Sequence, residues 1–176
     1  VVKAGFAIFA IGIFRVVWFA LLTQNPLWHH QMVGGVPLLN ALLIGYGLPI
    51  CWLLLAHDNL VAAKPEWLFR HIGAVNLLLL FALVSLNVRQ LYHGEYLDTG
   101  ITTNAEIYSY SLAWLLMGVA LLFTGTIRND GMIRSASLAV MIITVGKVFL
   151  YDASELTGLF RVFSFMGLGV SLIGLS

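Results

Sequence analysis

Long apolar runs separated by short polar breaks constrain this chain more than any other feature of its sequence. "WLFRHIGAVNLLLLFALVSLNVRQLY" and "NAEIYSYSLAWLLMGVALLFTG" each exceed the roughly 20 residues a helix needs to cross the hydrocarbon core of a bilayer. The apolar residues are continuous rather than alternating, which is not the every-other-residue pattern of membrane β-barrel strands. The chain is 60% hydrophobic and 10% charged, whereas soluble domains are about half apolar and about a quarter charged. The expected fold class is therefore all-α, a polytopic transmembrane helix bundle of about six spans.

The spans are expected at about 3–23, 37–57, 67–92, 104–126, 132–150 and 159–176. Pro37 and Pro65 suit the first helical turns of the second and third, and Asn104 suits the N-cap of the fourth. "RNDG" reads as a tight turn between the fourth and fifth. Gly5 and Gly12, and Gly167 and Gly169, are small residues that would let neighbouring helices approach. The 176 residues suit one domain. The chain opens on Val1 and stops inside an apolar run, so it is expected to be a fragment of a longer protein. Its opening run lacks the small-residue cleavage site of a signal peptide. One cysteine, Cys51, excludes an internal disulfide and a cysteine-based zinc site. A net charge of +1 with no basic run gives no reason to expect nucleic acid as a partner.

Six spans would place both ends of this segment on one side of the membrane. That side also carries Lys3, Lys64, Arg70, Arg128 and Arg134, so the positive-inside rule makes it cytoplasmic. The loops "TQNPLWHHQMVGGV", "HGEYLDTGITT" and "YDASELTG" would then face outward.

The intramembrane charges gather toward that outer side. Arg89, Glu106, Lys147 and Arg161 lie within three residues of expected helix ends, with Asp152 and Glu155 in the loop between the fifth and sixth. Arg15 is deepest, roughly 10–12 Å below the interface at 1.5 Å per residue. Such charges near helix ends either snorkel and pair for structural reasons or line a polar cavity. Helical spacing gives each stripe a hydroxyl: Glu106 with Ser109 and Tyr110, Thr144 with Lys147, Arg161 with Ser164, and Ser85 with Arg89. Glu106 and Asp152 are thus the candidate catalytic groups, and Arg15, Arg89, Ser109, Lys147, Arg161 and Ser164 the candidate ligand-binding groups. His29 and His30 have no specific metal-site spacing, and neither a metal nor a cofactor is expected. No P-loop, nucleophile elbow or HExxH is present in the sequence.

The second half, with "KVFLYD…L.GLFRV.SF" as its most specific phrase, and "PLLNALLIGYGLP" upstream resemble a family of large bacterial polytopic membrane proteins, domain of unknown function 2339. The resemblance implies the C-terminal portion of a longer bundle in the bacterial inner membrane. It marks Glu106, Ser109, Trp114, Lys147, Asp152, Arg161 and Ser164 as motif positions and supplies no reaction. Three functions follow as expectations. The first is handling of an anionic envelope lipid or lipid-linked sugar in an outward-facing polar cavity, by an enzyme or a carrier. The second is proton-coupled secondary transport through Glu106 and Asp152. The third is a non-catalytic structural module of a larger membrane assembly. The expected partners are membrane lipids, a lipid-linked or phosphorylated small molecule, and the remainder of a longer polytopic chain or a membrane complex.

Overall fold

The computed structural model describes the backbone of residues 2–60, 66–152, 162 and 165–169, and the side chains of 10–55, 71–152, 162 and 165–169. The regular elements among the described residues are helices, with one isolated β-bridge between Met32 and Tyr96. The chain forms two compact units, Val1–Thr102 and Thr103–Ser176.

In the first unit, α1 (Val2–Val17) runs directly into a π-helical turn, Trp18–Thr23. A second π turn, Leu43–Gly47, leads into α2 (Leu48–Leu60), and α3 spans Glu66–His93. The core is built from helical faces. Ile72, Leu79 and Leu86 recur every seventh residue along α3, and Leu42, Tyr46 and Leu53 share a face of the second helix; all six are buried. Val33 and Leu97 close this core from the loops. Outside it the surface is apolar: Ile11, Phe14, Leu39 and Ile44 are each about two-thirds exposed or more. A soluble domain rarely shows so wide an apolar face, so this surface suits lipid.

Pro37 is not in a first turn. Helical backbone begins at residue 41, because Asn40 is the cap: its Oδ1 accepts the Leu43 N–H at 3.0 Å. Leu38 has φ +70°, a left-handed conformation that no α-helix continues. The two loops expected on one side meet: the Val33 N–H donates to the Glu95 carbonyl at 2.9 Å.

In the second unit, α4 (Asn104–Ile127) and α5 (Gly131–Leu150) form an antiparallel hairpin. The N-cap of α4 is Thr103 rather than Asn104, its hydroxyl accepting from the Glu106 N–H at 3.3 Å. The tight turn forms as expected. Asn129 takes φ +50°, and Asp130 caps α5 by accepting the Met132 and Ile133 N–H groups at 2.8 and 3.3 Å. Replacing Asp130 with Ala removes that acceptor and should lower stability by about 1 kcal/mol, measured by thermal unfolding in detergent.

Close approach in the hairpin uses Gly118 and Gly125. A Cβ on Gly125 would lie 2.9 Å from the Arg134 backbone nitrogen, and one on Gly118 3.0 Å from Met141 Cγ. The glycines singled out in the sequence are roomier. A Cβ on Gly12 would meet only Trp52 at 3.9 Å, one on Gly167 or Gly169 nothing within 4 Å, and Gly5 lies outside the described side chains.

Of the six expected spans, α4, α5 and the His71–His93 part of α3 are long and apolar enough to cross a bilayer. Ala10–Thr23 and Leu43–Leu55 are shorter apolar helices among the described residues. The sixth expected span lies mostly outside the described residues, which are helical there at 162 and 165–169.

Candidate functional site

The polar interior of the second unit is organised by Lys147, near the end of α5. Its ammonium donates to the Ile107 carbonyl at 2.9 Å, to Ser111 Oγ at 2.6 Å and to Asp152 Oδ1 at 2.7 Å. Ser111 in turn donates to Asp152 Oδ2 at 2.5 Å. Ile107, Ser111 and Trp114 lie at i, i+4 and i+7 on one face of α4, and the Trp114 ring lies 5.8 Å from the Lys147 nitrogen. Ser111 and Asp152 are buried, and the Lys147 side chain is 16% exposed.

An ammonium has three hydrogens, and all three here have protein acceptors. Both carboxylate oxygens of Asp152 are also occupied. The set is a closed, charge-compensated ring. An external anion could bond the Lys147 ammonium only by displacing one of these three acceptors, so this geometry does not make a vacant anion clamp. It does tie α4 to α5 and to the turn that follows.

Glu106 is fully buried, and Tyr110 donates to its Oε1 at 3.0 Å. These two share the face read from the sequence. Ser109, on the same face, turns its hydroxyl to the Ala105 carbonyl of its own helix at 2.9 Å. The structure thus brings Lys147 and Asp152 together through Ser111, a residue that the sequence reading passed over. Ser111, Gly118 and Gly125 are spaced by seven, a small-residue stripe that marks the face of α4 pressed against α5. That stripe was the available signal.

In the first unit, Arg89 holds the loop that follows α3. Its Nε donates to the Leu97 carbonyl at 2.5 Å and Nη1 to Thr102 Oγ1 at 3.4 Å. Arg15 is different. It is exposed, and its guanidinium carbon lies 5.5 Å from the Phe19 ring centroid. Among the described residues no carboxylate forms an ion pair with it. Arg161, Ser164 and Glu155 lie outside the described residues. His30 bonds Asp98 at 2.9 Å and stacks on Tyr96 with ring centroids 4.4 Å apart, which joins the two loops.

A buried amide network was also missed in the sequence. Asn87 Oδ1 accepts from the Leu38 N–H at 3.0 Å and from Asn40 Nδ2 at 2.8 Å. Asn40 also donates to Gln90, whose Nε2 donates to the Gly34 carbonyl at 2.6 Å. Asn87 and Gln90 lie at i and i+3 on α3, so they present both amides to the irregular 34–40 segment.

A cavity of about 350 Å³ lies between the two π turns, lined among others by Val16, Phe19, Ala20, Leu42, Gly45 and Tyr46. The Tyr46 hydroxyl is taken by the Ala20 carbonyl.

The family described as "Predicted membrane protein (DUF2339)" matches residues 1–176, the whole chain. No curated protein and no solved structure matches it.

Proposed function

This chain belongs to the predicted membrane protein family DUF2339, and on that premise we propose that it handles an anionic envelope lipid or lipid-linked sugar, with Arg15 as the group that meets the phosphate. One observation carries the proposal. Arg15 is exposed and has no carboxylate partner among the described residues, while Lys147 has spent every donor on its own protein. A guanidinium can bind a phosphate through two parallel N–H groups. Its aliphatic stem lets the guanidinium snorkel from its depth in the helix toward the headgroups, with the Phe19 ring alongside. Placement in the bacterial inner membrane, with both ends of the segment cytoplasmic, is part of the same proposal. Arg128 and Arg134 at the α4–α5 turn support that orientation.

Arg15→Gln should reduce the preference for phosphatidylglycerol over phosphatidylcholine by about tenfold, the worth of one charge-assisted hydrogen bond. Arg15→Lys should retain part of it. The measurement is lipid binding by native mass spectrometry of the detergent-solubilised chain. An unchanged preference in Arg15→Gln would remove Arg15 from the function.

A second reading, a non-catalytic module of a larger membrane assembly, is favoured by the closed Lys147–Ser111–Asp152 ring. A ring in which every lysine hydrogen and both carboxylate oxygens are engaged holds helices together and needs no ligand to be stable. The two readings concern different units and are compatible.

A further inference from the structure

We propose that the cavity between the two π turns seats the neutral, hydroxyl-bearing part of the lipid headgroup, a sugar, on the outer side of Arg15; the lipid it belongs to rests on the phosphate reading above. The cavity exists because of two local irregularities. In each π turn the chain closes an i to i+5 bond, Gln24 N–H to the Phe19 carbonyl and Leu48 N–H to the Leu43 carbonyl. Such turns carry one extra residue, widen the helix and recur at functional sites. The Tyr46 hydroxyl donates to the Ala20 carbonyl and so fastens one turn to the other.

The lining specifies the ligand class. About 350 Å³ falls at the lower end of small-molecule sites, roughly 300–1,000 Å³, and suits a small group. None of the lining side chains is charged, so an ion would find no counter-charge there. The wall is nevertheless polar in places, because Gln24 and Gln31 both line it. No described residue bonds the Gln24 side-chain amide. Gln31 donates through Nε2 to the Gln24 carbonyl at 2.7 Å, which fixes the side chain and leaves its Oε1 to accept. Amides that donate and accept, set among apolar walls such as Phe19, Val33 and Leu42, suit hydroxyl groups carried on an otherwise apolar ring. A hydrocarbon tail would offer those amides nothing.

The order of groups along the first helix agrees with this assignment. Ile11, Arg15 and Phe19 follow at i, i+4 and i+8 on one face, and all three are exposed. Phe19 stands one turn, about 6 Å, outward of Arg15, and the guanidinium lies beside its ring. The same ring lines the cavity, which Gln24, Gln31 and Met32 of the outward loop complete. From the hydrocarbon outward, the protein thus presents an apolar residue, a cation, an aromatic ring and neutral amides. A lipid-linked sugar phosphate presents its tail, phosphate and sugar in the same order.

The test uses the full chain in detergent, native mass spectrometry and two lipid pairs. One pair is a polyprenyl phosphate with and without a glucose on the phosphate. The other is diacylglycerol with and without a glucose, and carries no phosphate. In both pairs the glucosylated lipid should bind about tenfold tighter, from about two added hydrogen bonds. Gln24→Leu should lower that preference about fivefold, the worth of one neutral hydrogen bond. Its side chain has no bond to a described residue to lose. No glucose preference in the wild type, or an undiminished one in Gln24→Leu, would overturn the sugar site. A glucose preference that depends on Gln24, together with an unchanged phosphatidylglycerol preference in Arg15→Gln, would keep the sugar site and reject the phosphate reading. A second measurement needs no variant. Glucosyl diacylglycerol with a diazirine on the sugar, photolysed on the wild-type chain, should label Gln24, Gln31, Met32 or Val33. Label confined to exposed faces such as Phe123 and Ile142 would overturn the proposal.

Discussion

Lys147→Met should destabilise the second unit by about 3 kcal/mol or more, the usual cost of stripping one partner from a buried ion pair. The variant leaves Asp152 buried with Ser111 as its one remaining side-chain donor among the described residues, and leaves the Ile107 carbonyl without the lysine. Asp152→Asn should cost a similar amount for the opposite reason, because it strips the buried lysine of its compensating charge. The double variant Lys147→Met with Asp152→Leu should cost much less than the sum of the singles, since no uncompensated charge remains. Reversible unfolding in mixed detergent micelles measures all three. If the single-site costs simply add, the ring is not a tie, and the structural-module reading loses its support.

The second large effect concerns the amides of the first unit. Asn87→Leu removes the acceptor shared by the Leu38 N–H and the Asn40 amide. Each buried donor left unmade costs about 1–3 kcal/mol, so a loss of about 2–6 kcal/mol is expected for the two. The damage should be local first. The 34–40 segment contains a left-handed Leu38 and is held against α3 by these amides, so it should become protease-sensitive before the helices unfold. Limited proteolysis with mass mapping would show this, and resistance equal to wild type would show that the network does not hold the segment.

Helices, apolar exterior and most boundaries were legible in the sequence. A span is a local property: α4 and α5 start and stop where the apolar runs, caps and turn residues say, to within a residue or two. The candidate site was legible only in part. Lys147 and Asp152 were both named, and their separation of five residues left their pairing open. Ser109 lies three residues after Glu106 and shares its face, whereas Ser111 lies on the face of Ile107. Both serines lie on regular helical faces, and spacing alone does not say which of the two meets α5. The amide network was invisible for a similar reason, since its members come from residues about fifty positions apart in the chain.

By itself the sequence determined that this is an all-helical membrane protein of the DUF2339 family, because hydrophobic run length and helix capping are set by neighbouring residues. Only the tertiary structure decided that Lys147 and Asp152 are spent on each other, while Arg15 has no carboxylate partner among the described residues. Rotation of α4 against α5 follows from close packing at Gly118 and Gly125, and it carries Ser111 and Lys147 into one ring with Asp152. The two π turns likewise depend on packing, since one added residue per turn leaves no mark in apolar periodicity. That is why the cavity beside Arg15 appears in the fold and not in the letters.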